Sequence, residues 1–342
     1  MFWIMRVLLF SSLILLSFIV IGQNNTALIK GKITGNIPEK INYTAPVGDS
    51  YFWNYSNSFQ PDSLGNFAIT INTARPCFVN IYYADESHSI IVEPNGEYEI
   101  NINQNQVNIN GSTDGAQNFY TNLLRINPRA CDNPISTDTS TVDIIKLKLD
   151  ESLAKELSDL LNIYSSGSIS KDVYELVKFD REVYYKIALA NLASKNLLVT
   201  QNGKEVVSSE MMKLWVDAVS SISLTNLNFL HSTYAYDFLD IYIWCQIYTH
   251  QNIDEFNSVR KEFRQKNLVH THTLSLARMY LQGDLLEFYK AAYLHLNSFR
   301  ATKELLSLFE SFIVEYPNSN YTPYLKPKMS TIGEKLKLQD ME

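Results

Sequence analysis

The sequence predicts an α+β protein, in which an N-terminal antiparallel β-sandwich is followed by an all-α domain of stacked antiparallel helices. Apolar residues alternate with polar ones up to about residue 110, which is the period of strands. From Asp114 onward they recur every three or four positions, which is the period of helices, and glycine becomes rare. We expect both halves to pack on residues 89–124, where the two patterns meet.

Alternating segments in the first half have the pattern of strands with one buried face. Three of them place these residues on a shared face: Phe67, Ile69 and Ile71; Val79, Ile81 and Tyr83; Tyr98, Ile100 and Ile102. On the last strand Glu97, Glu99 and Asn101 are expected to face water. Turn signals about every 8–12 residues favour a sandwich. Asp62 and Gly65 predict a type I turn, because a calcium loop would need more carboxylates.

The second half is predicted to be helical, with short loops that favour antiparallel neighbours. Asp180 falls on the apolar stripe of a helix that contains Val173 and Ile187, so we expect it to make a helix-to-helix hydrogen bond or to lie at an edge. Asp284 is predicted to be an N-cap, with Glu287 completing a capping box. The other expected helices cover residues 143–164, 209–221, 234–249, 254–266, 273–281, 285–297, 302–315 and 321–338, after a first helix that opens at Phe119.

The N-terminus is predicted to be a secretory signal. Arg6 precedes an apolar run of 15 residues from Val7 to Ile21, and Val20 and Gly22 stand at the cleavage positions. The run is shorter than the about 20 residues that cross a bilayer. We therefore expect export and cleavage, with an uncleaved membrane anchor as the alternative. The expected organisation is a signal peptide at 1–22, a β-sandwich domain at 23–112 and an α-helical domain at 113–342.

Charge and cysteine content exclude several classes of protein. The chain of 342 residues has a net charge of −7 and no basic run, so no nucleic-acid partner is expected. The sequence has only three cysteines, Cys77, Cys131 and Cys245. So small and odd a number argues against a disulfide scaffold. One bridge or three buried thiols would both fit. Cys77, in an apolar strand, and Cys245, in an apolar helix, are expected to be small core residues.

Common catalytic and cofactor motifs are absent from the sequence. It contains no C-x-x-C, G-x-S-x-G, H-E-x-x-H, Walker A or G-x-G-x-x-G pattern, so no catalytic residue and no cofactor is predicted. His270 and His272 offer two imidazoles without a third ligand nearby. We expect them to be solvated at a helix start, and no metal site is predicted.

An aromatic segment at residues 50–59 is the candidate ligand contact. Tyr51, Phe52, Trp53 and Tyr55 would stack on sugar rings if they formed an exposed platform. Ordinary strand packing is the alternative, because aromatic side chains fit a pleated surface.

Several turn and packing signatures resemble a known bacterial family. DSLGNF at 62–67, IIVEPNGEYEI at 90–100, and INGS at 109–112 leading into a helix resemble the N-terminal extension of TlpA-like thiol–disulfide oxidoreductases. LFESFIVEYPNSNYTPYL at 308–325 resembles the end of their helical spacer. The resemblance covers about residues 29–338 and implies the periplasm or cell envelope of a bacterium.

In that family the spacer leads into a thioredoxin-fold domain whose C-x-x-C thiolate attacks disulfides. Cys77, Cys131 and Cys245 do not match this motif, so no catalytic residue carries over. We therefore expect a non-catalytic binding or scaffold protein of the envelope. Its partner would be an envelope protein or peptide, with a separate thioredoxin-fold protein as one case. The alternatives are a truncated oxidoreductase without its catalytic domain, and a glycan-binding module that uses the aromatic segment.

Overall fold

The computed structural model describes residues 25–48, 50–52, 57–83, 86–103, 106–123, 141–201, 204–339 and 341. Within them, eight strands form two four-stranded sheets, and ten helices follow, which confirms the predicted α+β order. The predicted signal peptide, Trp53, Tyr55 and Cys131 lie outside the described residues.

The two sheets pack face to face as a sandwich. Sheet A has the strand order β4-β1-β7-β8, and sheet B has the order β3-β2-β5-β6. The bounds are β1 Thr26–Ile33, β2 Ile41–Thr44, β3 Asn57–Phe59, β4 Asn66–Asn72, β5 Cys77–Tyr83, β6 Glu86–Val92, β7 Glu97–Asn103 and β8 Gln106–Gly111. Side chains from both inner faces, such as Ile29 and Ile100 of sheet A and Val79 and Ile90 of sheet B, form one core cluster.

The alternation predicted for the strands is confirmed, but one strand pair has the opposite direction to the one expected. In β7, Tyr98, Ile100 and Ile102 are buried while Glu97 and Glu99 are exposed. Strands β1 and β7 are parallel, and the other pairs of the sandwich are antiparallel. Apolar and polar residues alternate in the same way in parallel and in antiparallel strand pairs, so the sequence pattern alone does not distinguish the two arrangements.

The predicted turn before β4 is confirmed in its details. The Gly65 N–H donates to the Asp62 carbonyl at 2.9 Å, and the Asp62 carboxylate accepts from the Leu64 and Asn66 N–H groups at 2.9 and 2.8 Å. Gly65 has φ 81°, and a Cβ there would stand 2.1 Å from the Ile33 carbonyl oxygen, so glycine is required. The hydrogen bonds from Asn66 lower the pKa of Asp62.

Most helices begin and end close to their predicted positions, but the first begins at Asp114 rather than Phe119, and the one predicted from residue 273 begins at Val269. Five helices start at a Ser, Thr or Asn whose side chain caps the first turn. The bounds are α1 Asp114–Thr121, α2 Val142–Ser165, α3 Lys171–Lys195, α4 Ser209–Ser220, α5 Ala235–His250, α6 Ile253–Gln265, α7 Val269–Tyr280, α8 Gly283–Asn297, α9 Lys303–Glu315 and α10 Thr322–Gln339. The predicted capping box is wrong, because α8 begins at Gly283 and Gln282 occupies the N-cap.

A small hairpin interrupts the helical half and was not predicted. Strands β9, Leu198–Gln201, and β10, Lys204–Val207, pair in antiparallel register between α3 and α4. The pair Asn202-Gly203 between two apolar runs is the sequence signal for such a hairpin.

The joint between the halves lies at β6 and α1, as expected. Phe78 and Ile91 on the outer side of sheet B share a buried cluster with Tyr120 of α1 and Leu176 of α3. Sheet B therefore lies between sheet A and the helices, and the outer face of sheet A remains exposed.

The side-chain amide of Gln117, in α1, occupies the free edge of β6. It accepts from the Ile91 N–H at 2.9 Å and donates to the Ser89 carbonyl at 2.9 Å. The Thr113 hydroxyl donates to the Ile91 carbonyl at 2.7 Å. These bonds replace the backbone partners that a further strand would supply.

Candidate functional site

The first two aromatic residues of the segment expected to form an exposed platform, Tyr51 and Phe52, are instead buried against the helical half. Tyr51 and Phe52 are only 2% and 1% exposed. The Tyr51 N–H donates to the Leu230 carbonyl at 2.7 Å, and the Phe52 ring lies 5.0 Å from that of Tyr321. This corrects the expectation for Tyr51 and Phe52, whose burial stabilises the contact between the halves by about 1.5–3 kcal/mol each. For Trp53 and Tyr55, glycan contact stays a prediction.

We expect His295 to make this contact sensitive to pH. Its ring lies 5.3 Å from Phe52, and its Nδ1 has no hydrogen-bond partner among the described residues. Burial, with the nearby charge of Lys328, lowers the pKa of His295 to about 4. An unfolded chain would protonate this residue near its ordinary pKa of about 6.5. Its stabilising contribution is thus complete above pH 6.5 and is lost as the pH falls toward 4.

We expect the free energy of unfolding to decrease between pH 6.5 and 4 by about 3 kcal/mol more in the native protein than in a His295→Gln variant. The measurement is urea unfolding at several pH values. His250→Gln, at an exposed position, is the control and should keep the native pH dependence. Equal pH dependence in the native protein and in His295→Gln would contradict the prediction.

Asp180 is buried and makes the helix-to-helix hydrogen bonds that were expected. Its carboxylate accepts from the Tyr120 hydroxyl of α1 at 2.8 Å and from the Ser232 hydroxyl at 2.8 Å. It also accepts from the N–H and hydroxyl of Thr233, at 2.8 and 2.9 Å. With these four donors, Asp180 joins three parts of the chain and is a structural group.

The two described cysteines are buried in separate cores, as expected. Cys77 belongs to the sandwich core and Cys245 to the helical core. Burial raises the pKa of the Cys77 thiol to about 12 and that of Cys245 to about 11. Neither thiol is in the thiolate form that attacks disulfides near neutral pH.

His270 and His272 are buried, so the expectation that they are solvated is wrong. The His272 ring stacks on Phe263 at 4.7 Å, and His270 Nδ1 shares a hydrogen bond of 2.8 Å with the Tyr293 hydroxyl. Helix α7 starts at Val269, earlier than predicted, which turns both rings toward neighbouring helices. Within the described part of the chain, no three His, Cys, Asp or Glu residues are placed to hold a metal ion.

A cavity of about 940 Å³ lies over the outer face of sheet A. We call this surface the sheet A face. The polar side chains that line it point outward from β1, β4, β7 and β8: Lys30, Lys32, Asn66, Glu97, Glu99, Asn101 and Asn110. Its walls offer cationic donors, carboxylate acceptors and amides within one concave surface.

Opposite charges form two parallel stripes on the sheet A face. Lys30 and Lys32 stand on β1, and Glu97 and Glu99 stand on the neighbouring β7, with Lys30 directly opposite Glu99. Neighbouring strands are about 4.8 Å apart. Even so, in the part of the chain that the structure describes, these four side chains form no ion pair with one another.

Sequence reasoning placed Glu97, Glu99 and Asn101 in water but did not identify this face as a site. The alternation in β1, with Lys30 and Lys32 two residues apart, was the available signal. The two stripes come together only through the parallel pairing of β1 with β7, and the sequence did not reveal that pairing. The chemistry of the face suits recognition by charge and hydrogen bonding.

Among the residues that the structure describes, no helix combines the length and the apolar character needed to cross a bilayer. No protein-family model, curated protein or solved structure matches this chain, so its function must be inferred from its own residues.

Proposed function

We propose that the chain is a non-catalytic binding or scaffold protein of the bacterial cell envelope, and that it holds a protein or peptide partner against the sheet A face. The observation that carries the proposal is the pair of charged stripes, Lys30 and Lys32 beside Glu97 and Glu99, which form no ion pair with one another among the described residues and line one cavity. Complementary charges on a partner would give specificity and faster association.

The spacing of the stripes favours an extended partner segment. Residues two apart on a strand, such as Lys30 and Lys32, are separated by about 6.4–6.8 Å. Acidic residues two apart on an extended peptide have the same spacing and would pair with both lysines. Basic residues on an adjoining segment would pair with Glu97 and Glu99, and the amides of Asn66 and Asn110 would bond the partner backbone.

Other observations support the remaining parts of the proposal. The predicted signal sequence and the TlpA-like resemblance support the envelope as the compartment. The burial of Cys77 and Cys245, with raised thiol pKa values, supports a role in which these two residues do not exchange disulfides.

The test is partner capture from envelope extract by the immobilised protein, with bound proteins quantified by mass spectrometry. Replacing Lys30, Lys32, Glu97 and Glu99 with alanine leaves the net charge unchanged and removes both stripes. We expect a saturable partner to bind the native protein and to bind this variant at least about tenfold more weakly, because the charge pairs are lost. Binding to the native protein should also weaken as salt increases.

A matched control removes the same four charges elsewhere. Lys155 and Asp159 on α2, and Lys213 and Asp217 on α4, form exposed i,i+4 ion pairs. The fourfold alanine variant at these positions should capture the partner as the native protein does. Equal capture by both variants, or the absence of any saturable partner, would contradict the proposal.

A further inference from the structure

A second cavity, of about 310 Å³, lies in the helical half. It is bounded by the end of α3, the start of β9, and one side each of α4 and α5. This volume is at the lower end of the range for small-molecule sites, which is about 300–1,000 Å³. The cavity shares no lining residue with the sheet A face, so a ligand bound here is independent of the partner proposed for that face.

Two half-buried aromatic rings of α5 line this cavity. Trp244 and Tyr248 are four residues apart, so they lie one above the other on the same side of the helix. The Trp215 ring of α4 lies 5.7 Å from that of Tyr248, at an angle of 40°, and packs against it. The Phe256 ring meets Trp244 edge-on at 5.8 Å. These contacts hold both α5 rings in place beside the cavity before any ligand arrives.

The wall of the cavity carries negative charge. Asp240 precedes Trp244 by four residues on the same side of α5, and it is the only charged side chain among the described residues that line the cavity. The neutral Tyr289 hydroxyl donates to Asp240 Oδ1 at 2.8 Å, which orients the carboxylate without cancelling its charge. The Arg260 guanidinium lies 5.0 Å from the centre of the Trp244 ring but does not line the cavity. The carboxylate and the faces of the rings both attract positive charge.

We propose that this cavity binds a quaternary ammonium group, the cationic head of ligands such as choline. The face of an aromatic ring carries negative partial charge, so Trp244 and Tyr248 attract the cation while they pack on its methyl groups. Asp240 adds a full negative charge on the same side of α5. A primary ammonium is disfavoured, because its strongly hydrated N–H groups would lose water against aromatic rings. An uncharged apolar group would pack on the rings but would gain nothing from Asp240.

The test is ligand-observed NMR saturation transfer, together with tryptophan fluorescence titration, on the full-length protein at constant ionic strength. The probes are choline, its uncharged carbon isostere dimethylbutanol, and the primary ammonium N-acetyl-lysinamide. We expect choline to bind saturably and at least about tenfold more tightly than either of the other probes, because only choline combines a positive charge with a methyl surface.

Substitutions at Leu198 vary the charge at the cavity wall without entering the core, because this residue is 52% exposed. The affinity for choline should decrease in the order Leu198→Glu, Leu198→Gln, Leu198→Arg, with at least about a threefold difference between the first and the last. Glutamate and glutamine have the same size, so the difference between their variants reports charge alone. An anionic ligand would give the opposite order.

Two further variants change the groups that would contact the ligand. Trp244→Ala should bind choline at least about tenfold more weakly, and Asp240→Asn at least about threefold more weakly. The amide oxygen introduced by Asp240→Asn still accepts from Tyr289, so this contact is kept. The matched controls are Phe299→Ala, at a ring that is 68% exposed outside the cavity, and Asp217→Asn, at a surface ion pair of α4. Both controls should keep the native affinity.

Absence of saturable choline binding would overturn the proposal. So would dimethylbutanol or the lysinamide binding as tightly as choline, or native affinity in Trp244→Ala. Equal affinities of Leu198→Glu and Leu198→Gln for choline would also overturn it, because the site would then be insensitive to charge.

Discussion

An Asp180→Ala variant is expected to lose about 4 kcal/mol of unfolding free energy, because the change leaves several buried donors without an acceptor. The Tyr120 hydroxyl, the Ser232 hydroxyl and the N–H and hydroxyl of Thr233 all donate to this carboxylate. Urea unfolding followed by circular dichroism measures the loss. Asp180→Asn should lose less, because its amide oxygen still accepts while its amide nitrogen does not.

The control for Asp180 is an exposed aspartate. Asp217 pairs with Lys213 on the surface of α4, so Asp217→Ala should change the unfolding free energy by less than about 0.5 kcal/mol. A Tyr120→Phe change should cost much less in the Asp180→Ala background than in the native protein, because both remove the same bond. Additive losses would show that Tyr120 and Asp180 are not coupled.

The second large effect is expected at Glu156. Arg181 is fully buried in α3, and its Nε donates to Glu156 Oε2 at 2.8 Å. The Tyr185 hydroxyl donates to Glu156 Oε1 at 2.7 Å, and the Arg181 guanidinium lies 4.2 Å from the Tyr184 ring centre. Glu156→Gln leaves the guanidinium buried without a countercharge, so we expect a loss of about 3–5 kcal/mol in urea unfolding.

Replacing both partners should be milder than replacing one. An Arg181→Met, Glu156→Leu double variant removes both charges of this pair, and we expect the unfolding free energy to recover most of the loss seen with Glu156→Gln. Asp159→Asn, in the exposed pair with Lys155 on the same helix as Glu156, is the control and should have little effect. A double variant as unstable as Glu156→Gln would mean that the aromatic stacking of Arg181, rather than its charge, carries the stability.

Local chemistry made much of the fold predictable from sequence. Phe67, Ile69 and Ile71 face inward because alternation is a local property of a strand. The Asp62 turn follows from the hydrogen bonds that an aspartate makes with the next few N–H groups. Ser170 and Thr302 cap the first turns of α3 and α9, and such caps are a local signal for a helix start.

What the sequence did not reveal depends on contacts between distant residues. The parallel register of Ile29 with Tyr98, which creates the sheet A face, is absent from either strand's own pattern. The burial of Phe52 depends on Tyr321, far along the chain. Trp215 of α4 and Trp244 of α5 line one cavity, and no spacing in the sequence predicts that.

The amide of Gln117 has a consequence for how the protein avoids self-association. An uncovered edge strand templates pairing with other chains, and β6 has the apolar run Ile90, Ile91 and Val92 that favours such growth. Because Gln117 of α1 occupies that edge, α1 hinders the pairing of β6 with a strand of another chain. The sandwich therefore depends on the start of the helical half for solubility as well as for stability. A chain in which only the sheets have folded still presents the β6 edge to strands of other chains.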